Sequence, residues 1–302
     1  MPVEGPIPQG LLTVVAAATV FSVMFTLGLD IVLAELRAAF AHPGPLGRAL
    51  FAVLVVVPVI ALGVTRVLGL ERWAEIGIVL MAIAPGAPVA LRRSIAAGGS
   101  HAFAPVLQVS VALLAIVSMP LSIAALNLLY AGHAAISPVQ LARQVLLAQL
   151  LPLCLGVACR IAVPGFAKRV EPHLARLSGA LLLVLAVLVV LDVWLAVVDA
   201  GANIALAAGL VTLLALGVGH WVGGPDSGTR SATAISCALR NLGLALLVAT
   251  VNDAPVEVTR TLLAYFVVSA ITVSLYVLWR RRVVAGGGGA GGSSGSHDPP
   301  GG

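Results

Sequence analysis

Nine apolar stretches dominate this chain, at residues 10–29, 50–70, 74–97, 103–129, 139–163, 177–198, 203–221, 232–251 and 259–279. Each is at least about 18 residues long, the length a helix needs to cross the hydrocarbon core of a bilayer. Of the 302 residues only 10% are charged and 60% are hydrophobic. A soluble domain carries about 25% charged residues to cover its wetted surface. That deficit excludes a water-soluble enzyme and predicts an all-α polytopic membrane protein of about nine spans.

The stretches divide the chain into a leader at 1–9, a transmembrane domain at 10–284 and a Gly/Ser-rich tail at 285–302. The tail, AGGGGAGGSSGSHDPPGG, lacks the apolar residues a core requires and reads as disordered. The leader MPVEGPIPQG has no Lys or Arg, whereas a secretory signal begins with a positive segment. The first span is therefore expected to be retained. Basic residues set the orientation. With nine spans, Arg66, Arg72, Arg143 and Arg260 fall on the side of the N-terminus. Twelve fall opposite: Arg37, Arg48, Arg92, Arg93, Arg160, Lys168, Arg169, Arg176, Arg230 and Arg280 to Arg282. The bias predicts an N-terminus outside a cell membrane and a cytoplasmic C-terminus.

The net charge of +5 carries no nucleic-acid signal, because the cations sit singly or in short groups between spans. Cys154, Cys159 and Cys237 all lie in apolar runs and read as small buried hydrophobes. No His or carboxylate cluster accompanies them, so neither a metal nor a resident cofactor is expected. H-E-x-x-H, Gly-rich phosphate-loop and G-x-S-x-G patterns are absent from the sequence, and no catalytic residue is assigned.

One cation, Arg240, lies in the middle of the eighth span, within SATAISCALRNLGLALLVAT. A cation at that depth costs at least about 2.5–3.5 kcal/mol on insertion scales, so it faces a bundle interior, a partner or a wet cavity. Anion binding is the functional reading; a structural ion pair or a snorkelling side chain is the plain one. The third span carries Pro85, Gly86 and Pro88 in MAIAPGAPVALRRS. Proline removes a donor and clashes with the preceding turn, so the span either breaks or kinks there. Broken helices aim free backbone groups at substrate near the midplane in transporters. Arg240, Asn241 and the following glycine suggest a second break. Five crossings separate the two spans, which makes them antiparallel, as an inverted repeat requires.

FSVMFTLGLD, APGAPVALRRSIAAGGS and ISCALRNLGLALL, in this order over residues 15–280, resemble the bile acid:sodium symporter family. The resemblance implies an inverted-repeat fold with two crossing broken helices and alternating access. It also exposes departures. Ala90-Leu91 stands where the family has Ser-Asn, Ser236 and Arg240 stand where it has Glu and Gln, and Val53 stands where it has a further Gln; Asn241 is kept. Most side chains the resemblance implies for sodium are replaced, and Arg240 would repel the ion.

The expected function is secondary transport of a small organic anion without sodium coupling. Its substrate site would comprise Arg240, Asn241, Pro85, Gly86, Pro88 and Ser236, with the lipid bilayer as surroundings. Asp192, in the sixth span, is a candidate proton or ion-pair site, or a residue snorkelling to the interface. A proton-coupled or facilitative carrier and a non-transporting membrane sensor or interaction protein are the rival expectations. Arg92 and Arg93 read as substrate contacts or as ordinary inside cations. Gln108, Ser110, Asn127, Gln140, Gln144 and Gln149 line a pathway or bond across helices. His220, beside Trp221, reads as an interface residue.

Overall fold

A computed structural model describes residues 9–30, 43–87, 89–129, 138–199, 202–252 and 254–288. These residues form helices and no strands. We number the helices as α1 (Gln9–Asp30), α2 (Pro43–Val67), α3 (Arg72–Ile83), α4 (Ala90–Ala96) and α5 (Phe103–Leu129). Then come α6 (Pro138–Val145, continuing through Leu146–Leu150 into Leu151–Ala162), α7 (Pro164–Asp199) and α8 (Ala202–Val222). Last are α9 (Ser227–Ala238), α10 (Leu242–Val251) and α11 (Val256–Gly288). Prolines open α2, α6 and α7, at a position where the missing N–H has no intrahelical partner to lose.

Among the described residues, six segments are long and apolar enough to cross a membrane: α2, α5, most of α6, α8, α9 joined to α10, and most of α11. The other three stretches expected from sequence fall on α1, on the interrupted pair α3 and α4, and on the C-terminal half of α7. The described apolar part of α1, Val14–Asp30, is shorter than a full span. Leader residues 1–8 and tail residues 289–302 lie outside the described residues, and α11 runs on to Gly288.

Burial is uneven. Of the most apolar window in Ser227–Val251, 83% is buried, against 28% for Pro43–Val67. The α9–α10 segment is therefore the hub, and the other helices turn apolar side chains outward. Cys154 belongs to this outward set: it is exposed, Cys159 is half-buried, and only Cys237 is buried. The expectation of three buried cysteines fails at α6 because lipid-facing and core-facing positions share one apolar alphabet.

Helix α1 packs on α6, α7 and α10, and α8 packs on α9 and α11. The α1–α6 crossing is a backbone contact. A Cβ at Gly28 would lie 2.9 Å from the Gly156 Cα, and a Cβ at Gly156 would lie 2.9 Å from the Gly28 Cα. Glycine is required on both sides for the helices to approach this closely.

Helices α2 and α6 share a further device. Residues Ala52–Val56 and Leu146–Leu150 form single π turns, closed by Val57 N–H to the Ala52 carbonyl and Leu151 N–H to the Leu146 carbonyl. A proline follows each, Pro58 and Pro152. In the π register the next donor would be residue 58, bonding the carbonyl of Val53. Proline has no N–H to give, so the Val53 carbonyl is released from the helix.

Candidate functional site

The third and eighth apolar stretches each leave helical geometry partway along, and the two breaks meet. Helix α3 ends at Ile83, residues 84–87 are non-helical, and Gly86 adopts φ 81°. That left-handed conformation is open to glycine without a steric penalty. Helix α9 ends at Ala238 and α10 begins at Leu242. Asn241 caps α10 by accepting the Leu244 N–H on its side-chain oxygen at 3.1 Å.

Each break exposes backbone groups that apolar surroundings cannot satisfy, and here they satisfy one another. Asn241 donates its backbone N–H to the Ala84 carbonyl at 2.9 Å and its side-chain amide to the Gly86 carbonyl at 3.4 Å. Gln108, from α5, donates to the Ala87 carbonyl at 2.9 Å. Three carbonyls freed by the Pro85-Gly86 segment thus find donors on α5 and at the second break. Of the two roles open to Gln108 in the sequence, cross-helix bonding is the one observed.

Arg240 occupies the second break and is 3% exposed. Its two terminal nitrogens each donate to the Val53 carbonyl at 3.1 Å. This is the oxygen that the π turn and Pro58 release. The guanidinium has no carboxylate partner among the described residues, and its Nε has no hydrogen-bond partner. The titratable neighbours that act on it, Tyr265 and Cys237, are ordinarily uncharged. A buried cation is therefore held by one neutral oxygen, with its Nε nitrogen left without a partner. Ser236, one turn earlier on α9, is buried as well.

Two cavities lie beside this cluster. The inner one, about 20 Å³, has room for a single water. Thr19, Val89, Leu182, Arg240, Asn241 and Gly243 contribute to its wall. The outer one, about 170 Å³, shares Val89 and Leu182 and is bordered by Thr26, Asp30, Arg92, Glu171 and Ser178. Ser22 and Ser178 join their hydroxyls at 2.7 Å, and Thr26 lies 3.2 Å from Ser178. These groups come from α1, α4 and α7, and of them sequence reasoning raised only Arg92 as a substrate contact.

Of the expected site residues, Arg240, Asn241 and Gly86 are brought together, and Ser236 lies one turn away on α9. Pro85 belongs to the same non-helical segment as Gly86. Pro88 and the side chain of Asp192 lie outside the described residues. Arg92 donates to the Ala175 carbonyl at 2.9 Å. His220 pairs with the Tyr276 hydroxyl at 2.9 Å and packs against Trp279. Gln149 is fully buried with both amide atoms unpaired, and the Ser110 hydroxyl is unpaired too. Gln144 accepts from Asn252 at 3.5 Å. At the start of α9, Asp226 accepts the Thr229 N–H at 2.7 Å. That bond is the first cause holding the Asp226 carboxyl below its ordinary range.

No curated protein matches the chain. The model of the Sodium Bile acid symporter family matches residues 17–199, more than half of it, from α1 through the first break to the end of α7. The second break, with Arg240 and Asn241, lies beyond the matched residues. Six long apolar segments around a polar crossing, together with this match, identify the chain as an integral membrane protein of the sodium bile acid symporter family.

Proposed function

We propose that the protein is a secondary carrier of a small organic anion, working by alternating access and not coupled to sodium. The observation that supports this is Arg240: a buried guanidinium without a carboxylate partner among the described residues, at the meeting point of two breaks and beside a cavity. The anionic group of the cargo complements its charge. Asn241 and Gly86 hold the crossing, Pro85 and Pro88 shape the first break, and Ser236 supplies a hydroxyl one turn from Arg240. Nine spans with an inverted repeat, the N-terminus outside and the C-terminus in the cytoplasm, form the frame. The core rocks against the remaining helices to expose the site to either side.

Sodium independence follows from the same contact. Sodium is a hard cation that takes oxygen ligands, and Arg240 already occupies the Val53 carbonyl. Two unit charges about 4 Å apart repel by about 4 kcal/mol at an effective dielectric near 20. The thermal stability of purified protein, titrated with sodium against choline at constant ionic strength, tests this. A ligand specific to the folded state adds about 2.7 kcal/mol at a hundredfold excess over Kd. The wild type is expected to give a flat response. A saturable sodium-specific rise would overturn the uncoupled reading.

A further inference from the structure

Arginines from three helices converge where α8 turns into α9. Arg230, early in α9, is half-buried and donates its Nε to the Gly224 carbonyl at 2.9 Å. Arg48, exposed on α2, lies against the same residue: a Cβ on Gly224 would stand 3.4 Å from its Nη2. Arg280, from α11, is 4% exposed and reaches the first turn of α9. It donates to the Ser231 hydroxyl at 2.9 Å and to the Ser227 carbonyl at 3.2 Å. Arg230 and Arg280 both act electrostatically on the His220 ring, so the cluster is one neighbourhood. None of the three pairs with a carboxylate among the described residues. Asp226, the acidic residue of this turn, is occupied as the cap of α9. Three guanidiniums against one carboxylate leave a positive surplus, and their hydrogen-bond acceptors are neutral oxygens.

The surroundings select the kind of anion. On α11 the exposed residues run Ile271, Leu275 and Leu278, one helical stripe, and then Trp279 ahead of Arg280. Trp279 packs on His220 at 5.7 Å, and the Arg280 guanidinium lies 5.8 Å from the Trp279 ring centre. Trp221, at the end of α8, is 85% exposed. Both α8 and α11 are long and apolar enough to cross a membrane, and Trp at the ends of such helices sits at headgroup level. Apolar stripe, aromatic ring and cation follow one another as acyl chain, glycerol and phosphate do in a phospholipid. We infer that this corner binds the headgroup of an anionic phospholipid from the adjoining leaflet. Arg48 and Arg230 hold the phosphate, because a guanidinium matches its oxygens in charge and geometry, and Arg280 supplies the buried charge behind them. Phosphatidylcholine brings its own cation into the positive surplus, whereas phosphatidylglycerol does not. A soluble phosphate gains the charges but makes no use of the apolar stripe. The bound lipid bridges α2 and α9, and the Arg240–Val53 contact joins α2 to the far end of that same α9 segment.

Titration of the full chain in detergent with dioleoyl phosphatidylglycerol, dioleoyl phosphatidylcholine or inorganic phosphate, read by native mass spectrometry and thermal shift, tests the inference. Phosphatidylglycerol is expected to bind saturably and about tenfold or more tighter than phosphatidylcholine. Each arginine near a lipid surface contributes about fivefold to affinity. Arg48→Gln should therefore weaken phosphatidylglycerol about fivefold, and Arg48→Gln with Arg230→Gln about thirtyfold. Arg48 is exposed, so the single variant reports on the site even where the double variant misfolds. Lys168→Gln with Arg169→Gln removes the same charge from α7 and should leave the affinity within about twofold. An equal loss in the α7 pair would overturn the site in favour of a diffuse attraction to positive charge. Equal binding of phosphatidylcholine would overturn the anionic headgroup. Inorganic phosphate that stabilises the protein as strongly, through the same arginines, would overturn the lipid and assign the corner to a soluble anion.

Discussion

Asn241 and Ala84, 157 positions apart in sequence, share a backbone hydrogen bond of 2.9 Å at the point where both chain segments have left helical geometry. The Asn241 side chain reinforces it in two directions, accepting from Leu244 and donating to Gly86. Asn241→Ala removes the cap and the second tie together. An N-cap contributes about 1 kcal/mol, and the unpaired Gly86 carbonyl adds about 1–3 kcal/mol. Thermal unfolding is expected to show a loss of about 2–4 kcal/mol. Asn241→Asp, which keeps the capping acceptor, should recover about 1 kcal/mol of it. Equal losses in the two variants would show that the cap contributes nothing.

The Arg240–Val53 bond uses a backbone oxygen, so the side chain of Val53 is dispensable to it while Pro58 is not. Val53→Ala is expected to leave anion affinity within about twofold of wild type, an allowance of about 0.4 kcal/mol. Pro58→Ala restores an N–H that competes for the released carbonyl. Anion affinity in that variant should change by fivefold or more, and hydrogen exchange at residue 58 should become protected. An unprotected amide there would mean that Arg240 keeps the Val53 carbonyl against the restored donor.

At the α1–α6 crossing, Gly156→Ala pushes a methyl into the Phe25 carbonyl and the Gly28 backbone. Overpacking of this kind costs about 1–3 kcal/mol, more where the obstacle is backbone. Gly63→Ala is the matched control, because nothing lies within 4 Å of a Cβ there. Helix propensity alone then predicts a gain of up to about 1 kcal/mol. Opposite signs for the two substitutions in denaturation experiments are the expected outcome.

Asp226 caps α9 and its carboxyl lies below the ordinary range because the Thr229 N–H favours the charged form. A carboxyl depressed in the folded state stabilises above its unfolded value, about 3.9. That stability is lost as pH falls through the folded value. The wild type should therefore lose stability below about pH 4 relative to Asp226→Asn, which caps α9 without titrating. Parallel acid-stability curves for the two proteins would refute the assignment.

What the sequence reveals depends on the range of each signal. Helix length and hydrophobicity are local, so the apolar segments are readable directly. Pro85-Gly86 is a local breaker, and Arg240-Asn241 is a local anomaly in apolar surroundings; both breaks were legible for that reason. Their contact was not, because backbone-to-backbone bonds leave no trace in residue identity. The Val53 carbonyl left an indirect trace in Pro58. Thr26, Ser178, Asp30 and Glu171 come from two distant helices and are ordinary residues singly, so the cavity that gathers them had no signal. Cys154 was misplaced because an apolar run does not say which of its faces meets lipid.

The paired glycines at the α1–α6 crossing bear on how such a protein moves. With no side chain between them, Gly28 and Gly156 leave nothing compressible at that point, so α1 and α6 behave there as one lever. Thr26 and Asp30, which border the outer cavity, ride on the same arm within one turn of the joint. Widening the cavity from the α1 side therefore displaces a two-helix unit, and the compliance must come from α4 and α7, which form its remaining walls.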